Sequence, residues 1–348
     1  MVLSYLIYHL AFFLCLTFAF ISEKVTSVKY LAIFISLLFI IGLSGLRNNV
    51  GTDYESYVRI FDTISIDGFT TVEPGYYALN KFFKESNKGY LYVFCICSAI
   101  TYLILYFTLL REKILTLGLL FTFTFGFVFL SNNIIRQALV IPVFFYSIEF
   151  IYKRKVLYFI LSILLCSLFH FSALLLIPFY WVYKINFKKA IWFFLISFSF
   201  ILSFTQIFNL VIIKMISFIP KYAGYLMTGD EDNKAIKSGA TMILVYFFSL
   251  FIVSAGNYIK EKKYKIYYNL YLLGITISFL TMNISFLFRF SYYLTSLIII
   301  VLPLIIKSIQ LRYKKYIYSL FFIFISFLFW FKALWFNDHG CLPYNFFF

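Results

Sequence analysis

Long apolar runs recur along the whole chain, and they restrict the folds that it can adopt. They cover residues 2–21, 30–46, 91–110, 114–130, 134–152, 156–169, 171–183, 190–213, 241–259, 266–283, 286–306 and 316–336. About 20 helical residues cross a bilayer core of ~30 Å, and in lipid only helices and closed barrels satisfy every backbone polar group. The short alternating segments of a β-barrel are absent. We therefore expect an all-α polytopic membrane protein with about 12 transmembrane helices, forming one domain over residues 1–348.

The charged residues orient this set of helices. The chain is 63% hydrophobic and only 13% charged, with a net charge of +16. Eighteen of the 30 basic residues fall in short loops that alternate onto one side: Lys24, Lys29, Arg111, Lys113, Lys153, Arg154, Lys155, Lys184, Lys188, Lys189, Lys260, Lys262, Lys263, Lys265, Lys307, Arg312, Lys314 and Lys315. Such an excess marks the cytoplasmic side. Both termini and two longer loops, 47–90 and 214–240, then lie outside, and the dispersed clusters do not indicate binding to nucleic acid.

One segment decides whether this alternation holds. Residues 156–183 could form a single long tilted helix, which would turn Lys184, Lys188 and Lys189 to the outside. Two short helices with a break at residues 169–172 keep them on the basic side. The charge pattern therefore predicts two short helices here.

A dense polar cluster follows the second apolar run. It contains Arg47, Asp53, Tyr54 and Tyr57, with Gly51 between the arginine and the acid. One interpretation is an interfacial anchor, in which the arginine snorkels and the tyrosines join the aromatic belt. The other is a ligand-facing loop at the outer membrane surface.

Other polar residues that interrupt the apolar runs favour the second interpretation. Arg136 and Gln137 begin one run, His170 lies at the predicted break, and Arg289 lies just inside another run. A charge in the membrane costs roughly 2.5–3.5 kcal/mol even on insertion scales, so these residues are expected to face a cavity or a partner. With Arg47, all of them fall near the outer leaflet. Arginine binds phosphate bidentately, and a helix start favours anions, so we expect a phosphate-bearing ligand.

The acidic residues do not form a recognisable metal site. Asp53, Asp62, Asp67 and Glu73 share the first outer loop, but their spacing matches neither an EF-hand nor a paired-aspartate motif. We therefore expect no metal and no cofactor. Asp53, Glu73 and His170 remain the candidates for a general base, with a slight preference for His170 because it lies between two short helices.

These residues carry a family resemblance. The stretch from Arg47 through Val50, Gly51, Thr52, Asp53 and Tyr54 to Tyr57 resembles the opening signature of the EpsG-type polysaccharide polymerases, which are Wzy-like proteins. Three shorter matches follow in order. They are Glu73-Pro74-Gly75-Tyr76, Ile135-Arg136-Gln137-Ala138, and Phe169-His170 followed by Ser172-Ala173. The resemblance covers residues 40 to 180, and the C-terminal half matches only in hydropathy and in the placement of Arg289.

The resemblance implies a function as well as a fold. It implies a GT-C-like, metal-independent glycosyltransferase in the bacterial cytoplasmic membrane, with its active site facing the periplasm or outside. The enzyme would transfer a growing undecaprenyl-diphosphate-linked glycan to a new lipid-linked repeat unit, making O-antigen of lipopolysaccharide, capsule or exopolysaccharide. Partners would be this lipid-linked oligosaccharide and membrane lipids, together with a chain-length regulator and a flippase. Arg47, Arg136 and Arg289 would bind the diphosphate, while Tyr54, Tyr57 and Gln137 would complete the glycan site.

Two other classes of membrane protein compete with a polymerase. A lipid-linked oligosaccharide flippase also uses cationic residues, but is expected to carry them deep in several bundles. A membrane O-acyltransferase of the same pathway would place its histidine and arginines at a cytoplasmic entrance. Deleting the gene distinguishes a polymerase from a flippase by the lipid-linked species that accumulates. Single units accumulate outside if a polymerase is lost, and inside if a flippase is lost.

The predicted topology can be tested by cysteine accessibility. Single cysteines at Ser65 and Lys234 should react with a membrane-impermeant thiol reagent in intact cells, because both loops are predicted outside. A cysteine at Lys155 should react only after permeabilisation. Labelling of position 155 in intact cells would overturn the predicted orientation.

Overall fold

The computed structural model describes residues 2–64, 72–205, 214 and 239–347, with the side chains of residues 285 and 286 excepted. Over these residues the chain is helical, and it divides into two compact units. The first unit comprises residues 1–180 and 302–348, and the second comprises residues 181–301. The predicted single domain over residues 1–348 stays a prediction, since compact units within a membrane domain need not be separate domains.

The first unit contains most of the helices. In chain order they are α1 (Val2–Lys24), α2 (Lys29–Gly45), α3 (Tyr54–Thr63), α4 (Pro74–Glu85), α5 (Tyr90–Glu112), α6 (Leu115–Thr124), α7 (Phe127–Asn133), α8 (Ile135–Tyr152) and α9 (Val156–Ser167). A 3₁₀ helix, Phe171–Lys184, leads from this unit into the second. The second unit holds α10 (Lys189–Ser203), α11 (Gly239–Ala255), α12 (Lys262–Thr281), α13 (Ser285–Thr295) and the start of α14 (Ile298–Ser308). The chain then returns to the first unit through the end of α14 and through α15 (Arg312–Trp335).

Fewer helices than predicted are long enough to cross a membrane. Among the described residues, seven candidate spans have the length and composition required: Val2–Lys24, Thr26–Gly45, Tyr90–Glu112, Ile135–Tyr152, Gly239–Tyr258, Leu287–Ser308 and Arg312–Trp335. An eighth is possible if α6 and α7, which meet at a 62° bend, form one span. Helix α9, the 3₁₀ helix and α10 are apolar but shorter. The polytopic helical membrane protein is therefore supported, whereas the count of 12 is not confirmed.

The first predicted outer loop is more ordered than its description as a loop implied. Residues 47–90 contain α3 and α4, both of which are amphipathic. Tyr54, Tyr57 and Phe61 recur at helical spacing and are buried, and Pro74 occupies the first turn of α4, where its missing N–H costs no hydrogen bond. The second predicted loop, 214–240, lies almost entirely outside the described residues.

The predicted break between two short helices is present. Helix α9 ends at Ser167 and the 3₁₀ helix begins at Phe171, so His170 lies in the connection. The amide of His170 still donates to the Cys166 carbonyl at 3.0 Å, and the amide of Gly75 donates to the Leu168 carbonyl at 2.7 Å. The break is therefore attached to the start of α4, which fixes where His170 lies.

Different parts of the chain contact one another at the two ends of the first unit. At one end, Lys307 donates to the Glu112 carbonyl at 2.7 Å, and Thr116 bonds to Glu23 at 2.8 Å. These residues belong to the basic loops. At the other end, the beginning of α1 contacts the C-terminal segment, since Ser4 accepts a hydrogen bond from the Tyr344 amide at 2.9 Å. The assignment of these ends to cytoplasm and exterior stays a prediction.

Close packing of helices in the second unit generates a stability prediction. A Cβ atom at Gly274 of α12 would lie 2.5 Å from Leu294 Cβ and 2.9 Å from the Leu294 carbonyl carbon on α13. Small residues let membrane helices approach this closely. Gly274→Ala should therefore lower the melting temperature in detergent, at a cost of about 1–3 kcal/mol typical of overpacking. Gly89→Ala is the matched control, because nothing lies within 4 Å of its Cβ position. Equal melting temperatures for the two variants would contradict this packing.

Candidate functional site

The buried carboxylate of Glu73 joins three parts of the chain. Glu73 precedes α4, Arg136 is in the first turn of α8, and His170 lies in the break after α9. Arg136 donates from Nη1 to Glu73 Oε2, and His170 Nδ1 lies 3.2 Å from Glu73 Oε1. The Phe171 amide donates to the same Oε1 at 3.3 Å. The Glu73 carboxylate thus contacts a guanidinium, an imidazole and a backbone N–H group.

The two partners of Glu73 remain partly accessible while the carboxylate is enclosed. The side chains of Arg136 and His170 are 26% and 27% exposed, against 8% for Glu73. The arginine and the imidazole can therefore meet a ligand from the open side. The carboxylate behind them can hold both in place.

Tyrosines complete the surroundings of Arg136. The Tyr57 side chain is hydrogen-bonded to Arg136, and the guanidinium lies 5.9 Å from the centre of the Tyr76 ring. Burial raises the pKa of the Tyr57 hydroxyl, the positive charge of Arg136 lowers it by less, and nearby Asp53 adds to the rise, so the hydroxyl stays protonated at neutral pH. Asp53 is thereby electrostatically coupled to the same group of residues. Tyr57, Arg136, Glu73 and His170 form what we call the Glu73 cluster.

Several buried polar atoms of this cluster and of the neighbouring Tyr76 lack a well-formed hydrogen bond. Among the described residues these include Arg136 Nε, His170 Nδ1 and Tyr76 Oη. The His170 contact with Glu73 is therefore close but poorly aligned. Catalytic hydrogen bonds often tighten only when substrate is bound, and buried unsatisfied groups mark places where water or a ligand completes a network. The cluster has the features of a site that is completed by its ligand.

Opposing effects act on the ionisation of Glu73. Burial raises the pKa of its carboxyl, but the His170 contact and the positive charge of Arg136 outweigh burial and bring the pKa to about 2. Glu73 is then ionised throughout the physiological range. A carboxylate with so low a pKa is a weak proton acceptor, whereas it is well suited to orient an imidazole and to pair with a guanidinium.

Arg47 occupies a different position from the one predicted for a diphosphate-binding residue. Its side chain is buried and donates to three backbone carbonyls: from Nε to Val50 at 3.2 Å, from Nη2 to Asn132 at 2.9 Å, and from Nη1 to Ser44. The guanidinium also lies 4.6 Å from the centre of the Phe94 ring. These contacts hold residues 47–53, which we call the site loop, against the end of α7. A direct contact of Arg47 with diphosphate stays a prediction.

The remaining predicted residues are divided between the two units. The Tyr54 hydroxyl donates to Asn48 Oδ1 at 3.0 Å and contacts the Tyr90 hydroxyl at 3.3 Å, so Tyr54 helps to order the site loop. Gln137 is buried at the start of α8. Arg289 lies on α13 in the second unit, with an exposed side chain, and its diphosphate-binding role stays a prediction.

Sequence reasoning missed the asparagine that holds the site loop. Asn133 Oδ1 accepts hydrogen bonds from the Thr52 hydroxyl at 2.8 Å and from the Asp53 amide at 3.2 Å. Its Nδ2 donates to the Phe129 and His339 carbonyls, both at 3.0 Å. The adjacent Asn132 is buried, and its carboxamide makes no hydrogen bond within the described part of the chain. The available signal was the pair of asparagines that ends one helix three residues before Arg136, in the first turn of the next helix.

No group of three His, Cys, Asp or Glu side chains among the described residues could hold a metal ion. The metal-independent reaction is not tested by this and stays a prediction.

The low pKa of Glu73 generates a stability prediction. A carboxyl with a depressed native pKa contributes stability above its ordinary pKa, here 4.5, and loses that contribution as the pH falls towards 2. Glu73→Gln should therefore lower the melting temperature in detergent at pH 7, and the difference from wild type should shrink on going to pH 3. Glu85→Gln is the control on the same helix, because its ion pair with Lys81 is solvent-exposed. A Glu73→Gln effect that is the same at both pH values would contradict the assigned charge state.

Comparison with known proteins identifies the family. The model of the EpsG family matches residues 30–346, which include both compact units and all the candidate residues. No curated protein and no solved structure matches the chain. The match covers far more than half of the sequence, and it extends through the C-terminal half, where the motifs had been absent. The chain therefore belongs to the EpsG family.

Proposed function

We propose that this protein is a polysaccharide polymerase of the cytoplasmic membrane. It transfers a growing glycan from undecaprenyl diphosphate to a new lipid-linked repeat unit, at the outer face of the membrane. Membership of the EpsG family supports a polymerase-like function in polysaccharide synthesis, and the apolar helices support a membrane location. The lipid carrier, the direction of transfer and the outward-facing site belong to the proposal.

The Glu73 cluster is the observation that carries this proposal. A glycosyl transfer with a diphosphate leaving group requires a base for the acceptor hydroxyl and a positive charge for the leaving group. His170 and Arg136 provide these two groups, and one buried carboxylate contacts both. The cluster also lies at the ends of α8 and α9 that are remote from Lys153 and Lys155, which suits a site opposite the basic side.

Each residue of the cluster has a defined part in the proposed step. Glu73 accepts a hydrogen bond from the Nδ1–H group of His170, so that Nε2 presents its lone pair to the acceptor hydroxyl. Nε2 removes the hydroxyl proton as the acceptor oxygen forms a bond to the anomeric carbon of the donor sugar. The bond between that carbon and the diphosphate oxygen breaks, and its electron pair leaves with undecaprenyl diphosphate. Arg136 stabilises the negative charge that develops on this leaving group.

The site loop has a supporting part in this scheme. Arg47 holds the loop to the end of α7, and Asp53 and Tyr54 order the loop over the sugar next to the diphosphate. Tyr57 holds the Arg136 guanidinium through its hydrogen bond. The predicted role of Arg289 in binding diphosphate stays a prediction.

A flippase for the same lipid-linked units is the alternative function. It would also need cationic residues for the diphosphate, but it breaks and forms no glycosidic bond. The pairing of an imidazole with a buried carboxylate is useful for proton transfer and adds nothing to transport of an anion. This observation favours the polymerase.

Reconstitution is the experiment that tests the function. Purified protein in vesicles should convert lipid-linked repeat units into a ladder of longer glycans, in EDTA and without added divalent metal. Absence of a ladder under all conditions would contradict the polymerase. A ladder that appears only on addition of a divalent metal would contradict the metal-independent reaction.

The arginines generate a prediction about geometry rather than charge. Arg136→Lys and Arg47→Lys should both abolish polymer ladders almost as fully as substitution by alanine, because lysine cannot reproduce the planar fork that bonds several acceptors at once. Arg59→Lys is the control, since Arg59 on α3 is exposed and its ion pair with Glu55 lies on the exposed surface of the helix. Western blots should give equal membrane levels of all three proteins. Near wild-type polymer from both Arg136→Lys and Arg136→Ala would remove diphosphate binding from the role of Arg136.

His170 generates a prediction that separates chemistry from binding. His170→Ala should abolish turnover while the protein still binds the lipid-linked donor, because a base is needed for proton transfer rather than for holding phosphate. Donor binding is measured with labelled lipid-linked units in detergent. Loss of both binding and turnover would show that His170 serves the substrate site and not proton transfer.

A further inference from the structure

The C-terminal segment lies directly across the site loop. We call residues 337–347 the tail. Four backbone hydrogen bonds join the tail to residues 46–52: Gly51 N to Gly340 O at 2.9 Å, Thr52 N to His339 O at 3.1 Å, Asn48 N to Asn345 O at 2.9 Å, and Phe347 N to Leu46 O at 3.0 Å. Arg47 and Phe346 form an antiparallel bridge between them. The tail thus satisfies backbone groups of the loop on both sides of Arg47.

The tail is also fixed to helices that do not belong to the site loop. Asn337 closes a turn on Leu342, with its Nδ2 donating at 2.8 Å and its Oδ1 accepting at 2.7 Å. The Tyr344 hydroxyl donates to the Leu43 carbonyl at 2.7 Å, and the Tyr8 hydroxyl donates to the Cys341 carbonyl at 2.9 Å. The loop therefore rests on a support that α1, α2 and α15 hold in place.

Asn133 connects this support to the cluster that carries the proposed chemistry. It binds the tail through the His339 carbonyl and the loop through Thr52 and Asp53. Arg136 follows it by three residues, at the start of α8. A displacement of the tail would therefore move the site loop, to which it is hydrogen-bonded. It would also move Asn133, which lies three residues before Arg136.

We propose that the tail is a positioning element of the active site, which holds the site loop in the conformation that receives the sugar next to the diphosphate. The inference rests on the proposed polymerase function. It assigns to residues 337–347 a part that no sequence motif indicates. The tail acts on substrate binding through the site loop, with which it forms its backbone hydrogen bonds, and leaves proton transfer to the cluster.

Gly340→Ala is the variant that tests the tail most directly. Gly340 has φ +63°, and a Cβ atom there would lie 3.1 Å from Thr52 Cγ2 and 3.3 Å from the Thr52 amide nitrogen. The substitution should therefore separate the tail from the loop at their closest approach. Asn345→Ala is the matched control, because Asn345 joins the loop through its backbone carbonyl and its side chain is exposed. Asn337→Ala provides a second disrupting variant, which opens the tail turn without adding atoms.

Hydrogen exchange measures the contact without reference to activity. In Gly340→Ala and Asn337→Ala, the amides of Asn48, Gly51 and Thr52 should exchange at least tenfold faster than in wild type and in Asn345→Ala. Amides of α5 should keep their protection in all variants, which shows that the protein remains folded. Unchanged exchange at Gly51 and Thr52 in both disrupting variants would overturn the contact.

Kinetics with lipid-linked repeat units then tests the functional part. A misplaced loop should raise the KM about tenfold or more, because small misplacements of positioning groups are costly. A tail that only stabilises the fold would lower the amount of active enzyme and leave the KM unchanged. Fast exchange together with a wild-type KM would overturn the positioning role. If the wild-type protein makes no polymer, the proposed function fails, whereas the exchange result still decides whether the tail holds the loop.

Discussion

The contacts of one buried carboxylate determine how the candidate site is assembled. Glu73 is held between the first turn of α8 and the break after α9, and it binds both Arg136 and His170. An ionised carboxylate in a buried position is costly unless it is paired and hydrogen-bonded, and here both requirements are met by residues that the chemistry needs. The contacts that offset the cost of burying the Glu73 carboxylate therefore also position the Arg136 guanidinium and the His170 imidazole. Removing Glu73 would leave Arg136 partly buried without its counter-charge and His170 without its orienting group.

A second, independent set of contacts fixes the site loop. Arg47 donates to three backbone carbonyls, Asn133 bridges the loop to the tail, and the tail continues the pairing along the backbone. These interactions are mostly neutral hydrogen bonds to main-chain groups, so their strength is set by geometry rather than by charge. In the proposed reaction the cluster holds the groups that change charge during the transfer, and the site loop holds the backbone that surrounds the substrate.

Much of the candidate site could be predicted, because charged and polar residues are rarely placed within or next to apolar membrane segments. Arg136, His170 and Arg47 are polar residues next to long apolar runs, and the cost of such a placement makes them visible in a single sequence. The break at His170 followed from the alternation of basic loops, and Glu73, Pro74 and Gly75 stood out as a short motif. The amphipathic spacing of Tyr54, Tyr57 and Phe61 and the position of Pro74 also signal α3 and α4, although they were assigned to a loop. The number of helices was harder, because several apolar segments are too short to span a bilayer on their own.

The tail and the role of Asn133 could not be predicted in this way. Backbone hydrogen bonds use groups that every residue carries, so the pairing of Gly340 with Gly51 leaves no pattern in side chains. Asn133 is uncharged and lies among ordinary helix residues, so its four hydrogen bonds depend entirely on which segments the fold brings to it. Arg47 shows the same limit, since its sequence context indicated a residue that faces a ligand, and its three backbone carbonyl partners left no pattern in the sequence.

The coupling between Glu73 and His170 is the most direct test of this account. Values of kcat/KM for polymer formation should be measured for wild type, Glu73→Gln, His170→Ala and the double variant. Residues that act as one unit are strongly non-additive, so the double variant should be no more than about threefold worse than His170→Ala alone. If the two losses instead multiply, Glu73 and His170 act independently, and the carboxylate does not position the base.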